Sequence, residues 1–359
     1  MYQSFKVKNF RCFHELALGD LKRVNLIAGM NNVGKTALLE ALFLHGGAYN
    51  PQATFKLSAF RGIENVKVNL SRLGETVWDS LFNQFDNTKS IELVGENNAG
   101  SRSLRLRVAR EPAELKKISH YISDSPEEFK GLLTSSEIAQ VLALEYKENG
   151  RQTALYMVAD QKGVRTEPFP STPPFPTFFQ TARLRVPFIE EAERFGKLEL
   201  EGKQDELLRV LRLIEPRLKR LAVVVESGET MLQGDIGAAR LVPLPLMGEG
   251  IARLATLMLY MSNAANGIVL IDEIENGLHH SVMAKVWKAI GEAARQYDTQ
   301  IFATTHNLEC IVAAHRAFME SDQYDFRLHR LERTREGLIA VTYDQEDLAA
   351  VIETSLEVR

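Results

Sequence analysis

The stretch "RVNLIAGMNNVGKTALLEALFLHGG" (Arg23–Gly47) decides the fold. Its opening residues form an apolar run that reads as a strand ending at Gly29, and "TALLEALFLHGG" reads as a helix closed by Gly46-Gly47. Between them, "GMNNVGKT" (Gly29–Thr36) sets two glycines five apart and follows them with Lys-Thr. This is the P-loop pattern, in the strand–loop–helix context that gives it meaning. Glycines there let backbone N–H groups curl around phosphates at a helix N-terminus. Lys35 is expected to neutralise the β- and γ-phosphates, and the Thr36 hydroxyl to coordinate Mg²⁺. The nucleotide is therefore expected on Gly29, Asn31, Asn32, Val33, Gly34, Lys35, Thr36 and Ala37.

A second motif lies far downstream. "IVLIDE" (Ile268–Glu273) is an apolar strand ending in two carboxylates. An aspartate at such a strand end can hold the water shell of Mg²⁺, which assigns Asp272 to the metal and leaves Glu273 to polarise the attacking water. The following strand, "QIFATTH", ends in His306, a residue able to sense a γ-phosphate.

The rest of the chain shows how these motifs are carried. Strands read at "SFKVKNF", "RVNLIAG", "GIVLIDE" and "QIFATTH", with helices at "DELLRVLRLIEPRLKRL" and "SVMAKVWKAIGEAARQY" and a terminal hairpin at "DFRLHRLERTREGLIAVTYD". Alternating strands and helices at both ends imply a mostly parallel α/β sheet. From about residue 51 the pattern changes to short strands ("KVNLSR", "SIELVGE", "SLRLRVAR", "LALEYKE", "ALYMVAD"), with a helical stretch in "EPAELKKISHYISDSPEEFKGLL". This β-rich insertion, residues 51–175, ends in "EPFPSTPPFPTFF", too rich in proline for a helix. The chain's 359 residues, 45% hydrophobic and 25% charged, suffice for one large elaborated domain or two domains. No run is apolar enough to span a membrane, and the N-terminus lacks a signal core. Cys12 and Cys310 have no partners at metal-ligand spacing and read as buried, reduced thiols of a cytoplasmic protein. A net charge of −4 gives no global attraction to nucleic acid.

The segment "PLPLMGEGIARLATLMLYM" (Pro243–Met261) poses a separate question. An apolar helix starts at Gly248-Glu249-Gly250 with no Ser, Thr or Asp to cap it, which leaves backbone N–H groups to whatever approaches. The order P-loop, insertion, glycine-rich helix mouth, acidic strand end resembles the ATP-binding-cassette ATPases, and among them the RecF/SMC/OLD-like branch. The closest texture is that of compact bacterial OLD-like ATPases, which are often encoded beside an effector in phage defence.

That resemblance covers residues 1–50 and 176–359 and implies a P-loop NTPase head: a mostly parallel sheet with helices plus an antiparallel β subdomain. It implies ATP and Mg²⁺ as ligands and a head-to-tail homodimer in which Gly248, Glu249 and Gly250 meet the γ-phosphate held by the other subunit. It further implies a nucleotide-reaching arginine at Arg11 in "FKVKNFRCF", a metal-facing Q-loop glutamine at Gln180, and a D-loop in "ENGLHHS" with Asn276, Gly277 and His279 near the dimer seam. Lys35, Glu273 and His306 form the catalytic set on this reading. The helix mouth carries Leu246-Met247 where many relatives have serine, which leaves recognition of the phosphate to the glycine amides. No long heptad run is present, no second acidic domain follows residue 359, and no Asn-Lys-x-Asp guanine motif occurs; a coiled-coil protein, a fused nuclease and GTP preference are not expected. Two outputs remain open: a switch or scaffold for an effector protein, for instance in antiviral defence, and a RecF-like DNA-binding ATPase in repair. For the second, "RLRVAR" with Lys116-Lys117, and the group Arg209, Arg212, Arg217, Lys219 and Arg220, are the candidate phosphate contacts; a charged solvated helix face is the competing reading of the latter group.

Overall fold

The computed structural model describes residues 1–47, 53–54, 57, 76–117, 140–160, 163–168, 173, 175–226 and 228–354. The first strands, β1 (Ser4–Phe10) and β2 (Phe13–Leu18), form a hairpin, and β3 (Val24–Ala28) leads through the P-loop into α1 (Lys35–Gly46). Next come β4 (Ile91–Asn97), β5 (Gly100–Ala109), the short α2 (Pro112–Lys117), β6 (Gln140–Glu148), β7 (Arg151–Asp160) and β8 (Gly163–Glu167). The second part of the chain runs β9 (Thr177–Gln180), α3 (Phe188–Leu200), α4 (Gln204–Leu211), β10 (Arg220–Glu226), β11 (Glu229–Asp235), β12 (Val242–Pro243) and α5 (Glu249–Asn263). It closes with β13 (Ile268–Ile271), α6 (His280–Gln296), β14 (Gln300–Thr304), α7 (Leu308–Met319), β15 (Phe326–Arg333), β16 (Leu338–Tyr343) and α8 (Gln345–Glu353).

A six-stranded sheet in the order β16-β15-β3-β14-β13-β9 forms the centre. All of its pairings are parallel except β15 with β16, the terminal hairpin. Strands β3, β13 and β14 are buried at every position, as expected of a parallel sheet covered on both faces. Their alternate side chains feed two separate cores. Leu26, Val269, Ile271 and Ile301 face α5, α6 and α7, whereas Ile27, Ile268, Leu270 and Phe302 face α1. The α/β expectation for the fold is borne out.

The other face of α1 is covered by a seven-stranded antiparallel sheet, β2-β1-β4-β5-β6-β7-β8. Helix α1 touches β1 and β4 on one side and β9, β13 and β14 on the other. This position between two sheets explains why "ALLEAL" is apolar almost all round. The one charged side chain there, Glu40, is fully buried and ion-paired with Arg11 from the β1–β2 turn at 3.2 Å. Strands from the 51–175 segment thus continue the sheet that β1 and β2 begin: β4 pairs antiparallel with β1. "KVNLSR" and most of the expected helix after Lys117 lie outside the described residues.

Two local readings are corrected. The helix read through "DELLRVLRLIEPRLKRL" stops at Leu211, and the chain is a strand again from Arg220. Pro216 lacks an N–H and disfavours helical geometry in the residue before it, so the helix cannot cross this point. The basic residues expected on one helical face are consequently dispersed over helix, turn and strand. Cys310 is buried as read, but Cys12 is exposed, because it sits in the β1–β2 turn beside the P-loop rather than in a core.

Candidate nucleotide site

In a parallel sheet all strands end on the same edge, and ligands gather there. Here β3 ends at the P-loop, β14 at Thr304, β13 at Ile271 and β9 at Gln180. Strand order places β14 between the P-loop strand and the acidic strand. Backbone hydrogen bonds hold the ends in line: Thr305 N–H donates to Ile27 O, Ile274 N–H to Thr304 O and Asp272 N–H to Gln180 O.

The P-loop has the backbone its sequence requires. Asn32 and Gly34 have φ of 63° and 97°, turning successive amides inward. Gly34 tolerates no side chain: a Cβ there would lie 2.6 Å from Cys12 Sγ and 2.7 Å from the Phe13 ring. The β1–β2 turn is thereby pressed against the loop. Asn31 and Asn32 are exposed, while Val33 and Ala37 anchor the loop in the core beneath. Lys35 Nζ donates to the Gly29 and Met30 carbonyls at 2.7 and 2.9 Å, curled over its own loop. Burial lowers its ammonium below the ordinary lysine value, and the carboxylates of Asp272, Glu275 and Glu273 pull it back.

Thr36 and Asp272 meet although 236 residues separate them. The Thr36 hydroxyl lies 3.1 Å from both oxygens of Asp272, and Thr304 Oγ1 donates to Oδ1 at 2.7 Å. Burial raises the Asp272 carboxyl above its usual range, with the two hydroxyls acting the other way. Thr304 also accepts the Glu273 N–H at 2.8 Å, tying the two acids together. Glu273 has φ 50°, an uncommon conformation outside glycine, and its Oε2 accepts from Asn276 Nδ2 at 2.8 Å. His306 follows β14 on the same edge, with Nδ1 3.1 Å from Glu275 Oε1.

Helix α5 starts as read. Gly248 is its N-cap, with φ 125° and no side-chain hydrogen bond, and nothing lies within 4 Å of where a Cβ would be. Glu249 is exposed. Gly250 is different, for it is buried against the D-loop: a Cβ would lie 2.1 Å from Gly277 O. His279 caps α6 by accepting from Ser281 N–H. The side chains of Gln180 and Arg11 make their hydrogen bonds elsewhere than at the Thr36–Asp272 pair. Gln180 donates to Arg253 O at 2.9 Å, and Arg11 donates to Ser80 O at 2.8 Å besides pairing with Glu40.

Two residues were missed by the sequence reading. Arg253, one turn into α5, donates to Thr181 O and Ala182 O through Nη1 and to Asp272 O and Glu273 O through Nη2. It joins the glycine-mouthed helix to the acidic strand end and to the loop after Gln180. No local motif marks an arginine at this place, and only the tertiary fold turns it toward these carbonyls. Glu275 is the other. Among basic residues, Arg107 bonds Glu114 and Glu145, Arg217 bonds Glu215, and Arg212 bonds the Leu218 and Lys219 carbonyls.

A phosphate-cradling loop, its lysine, a hydroxyl–carboxylate pair and a second carboxylate on one parallel-sheet edge define a P-loop nucleotide hydrolase. Comparison with known proteins agrees. Residues 166–311 match the family "AAA domain, putative AbiEii toxin, Type IV TA system", and residues 1–120 match "AAA ATPase domain". An "ATP/GTP phosphatase" of Helicobacter pylori is 23% identical, with 98% of each chain covered. The uncharacterised protein MJECL10 of Methanocaldococcus jannaschii is 48% identical over 44 residues, 12% of this chain and 20% of that one. In fold, the chain is similar to an SMC head crystallised with the C-winged helix domain of ScpA: TM-score 0.50, 12% identity, covering 97% of this chain and 99% of that one. These matches support a P-loop ATPase, and the fold it adopts is shared with SMC heads. Among the described residues, no helix is long and apolar enough to cross a membrane.

Proposed function

We propose that this ATPase works as an ATP-bridged, head-to-tail homodimer that switches an effector protein, in bacterial antiviral defence. The observation that carries the reading is the mouth of α5. Gly248 caps a 15-residue helix with no side chain, faces open space, and offers backbone N–H groups to an anion. Within one protomer this mouth packs on the D-loop through Gly250, so the anion it fits is the γ-phosphate on a second copy's P-loop. The AbiEii-like family match supports the defence setting, and the SMC head's complex with a winged-helix domain supports a protein partner. Internal pairing of Arg107, Arg212 and Arg217 leaves a DNA-repair role with less support.

Thr36 and Asp272 would hold Mg²⁺, whose preference for hard oxygen ligands suits a hydroxyl beside a carboxylate. The metal would supply charge neutralisation at the β- and γ-phosphates. Lys35 leaves its loop carbonyls for the same phosphates, Glu273 orients and polarises the attacking water, and Asn276 fixes the carboxylate that does so. Glu273→Gln tests this. It keeps the Asn276 contact but removes the charge, so turnover should fall by about 10²–10⁴-fold while binding persists. Light scattering should then show a dimer with Mg-ATP and not with ADP. A variant whose mass ignores nucleotide refutes the ATP-bridged dimer.

A further inference from the structure

We propose that Glu275 is the positioning residue for His306, holding the imidazole so that its charged form reads the terminal phosphate. The inference rests on the proposed ATP site. Glu275 lies two residues beyond Glu273 with its side chain 8% exposed, and its Oε1 makes two contacts to a single residue. It accepts the His306 backbone N–H at 3.0 Å and lies 3.1 Å from the ring Nδ1. Its other oxygen is buried with no hydrogen-bond partner.

Keeping a carboxylate in such a place is costly, and a backbone N–H needs only a neutral acceptor. The proton-carrying side chain in direct contact with this carboxylate is the imidazole. A carboxylate only accepts, so the 3.1 Å contact is attractive with the proton on Nδ1. In the neutral ring that proton leaves Nε2 as an acceptor, unable to donate to phosphate. A ring that donates to Glu275 and to a phosphate oxygen together is the imidazolium. The ring is half exposed while its Nδ1 meets the buried Glu275, and β14, which His306 follows, lies directly beside the P-loop strand β3. Lys35 and the Cys310 thiol, which burial and then Glu275 push up to about 12, share this carboxylate's field.

The test uses the full chain. Histidine-selective ¹⁵N NMR, with His306 assigned by His306→Gln, is compared between wild type and Glu275→Gln, which keeps an acceptor for the backbone N–H. Wild type should show a protonated Nδ1, and both nitrogens protonated with Mg-ATP on the Glu273→Gln background. Glu275→Gln should leave the ring singly protonated with nucleotide bound. Mg-ATPase assays should show kcat reduced by about tenfold or more in Glu275→Gln and His306→Gln alike, and no further in the double variant. Multiplying effects, or an unchanged His306 protonation pattern in Glu275→Gln, overturn the proposal. Wild-type turnover by His306→Gln refutes the site reading of His306, while the NMR comparison still decides the pairing.

Discussion

Replacing Gly250 by alanine probes the joint between the glycine-mouthed helix and the D-loop. The added Cβ would stand 2.1 Å from Gly277 O and 3.0 Å from its carbonyl carbon, whereas ordinary contact begins at 3.4 Å. Both obstacles are backbone, so no side chain can swing aside. Gly277 cannot easily yield, because it holds φ 75° and itself approaches Gly250 N. Helix and D-loop must therefore part by about 1 Å, and overpacking of that kind typically costs about 1–3 kcal/mol. In domains somewhat smaller than this chain each kcal/mol lowers Tm by about 2–4 °C, so a fall of several degrees is expected. The same displacement moves Asn276 and the Glu273 it steadies, and misplacement by about 1 Å can reduce turnover on the order of 100-fold. Thermal melts with and without Mg-ATP, beside steady-state ATPase assays, measure both. Gly277→Ala should behave alike, since it crowds the same contact from the other side. Wild-type Tm and kcat in Gly250→Ala would refute the reasoning.

Lys35→Ala should remove the main point charge facing the terminal phosphates and abolish productive ATP binding; equilibrium titration with an ATP analogue checks it. Asp272→Asn should separate binding from folding. The Asp272 carboxyl is raised in the folded state, so the stability it contributes is present at low pH and lost as pH rises through the raised value. The Asn variant should then melt higher than wild type near neutral pH without ligand, lose that advantage in acid, and gain nothing from Mg-ATP; melts across pH decide it. Arg253→Gln strips charge-assisted donors from the Asp272 and Thr181 carbonyls. It should cost about 1.5–3 kcal/mol in denaturant unfolding and lower kcat more than it raises KM.

The local pattern was enough for the class. A strand, a glycine-punctuated loop ending in Lys-Thr, and an apolar helix are set by nearest-neighbour chemistry, as is an apolar strand stopping at Asp272-Glu273. The same holds for the uncapped start of α5, because a missing cap is visible in the residues themselves. What depends on contacts between distant segments could not be read there. The alternation in "SIELVGE" signals a strand, but only pairing with β1 makes it part of the sheet that covers α1. The glycines at 250 and 277 look like two turn residues until the helix and the D-loop touch. Arg253 lies in an otherwise apolar helical run and Glu275 just after the acidic strand end, with no local pattern that marks either one's partners. Their positions become chemical only because the parallel register brings the ends of β9, β13, β14 and β3 to one edge, where burial removes water and leaves backbone carbonyls and one imidazole as their partners.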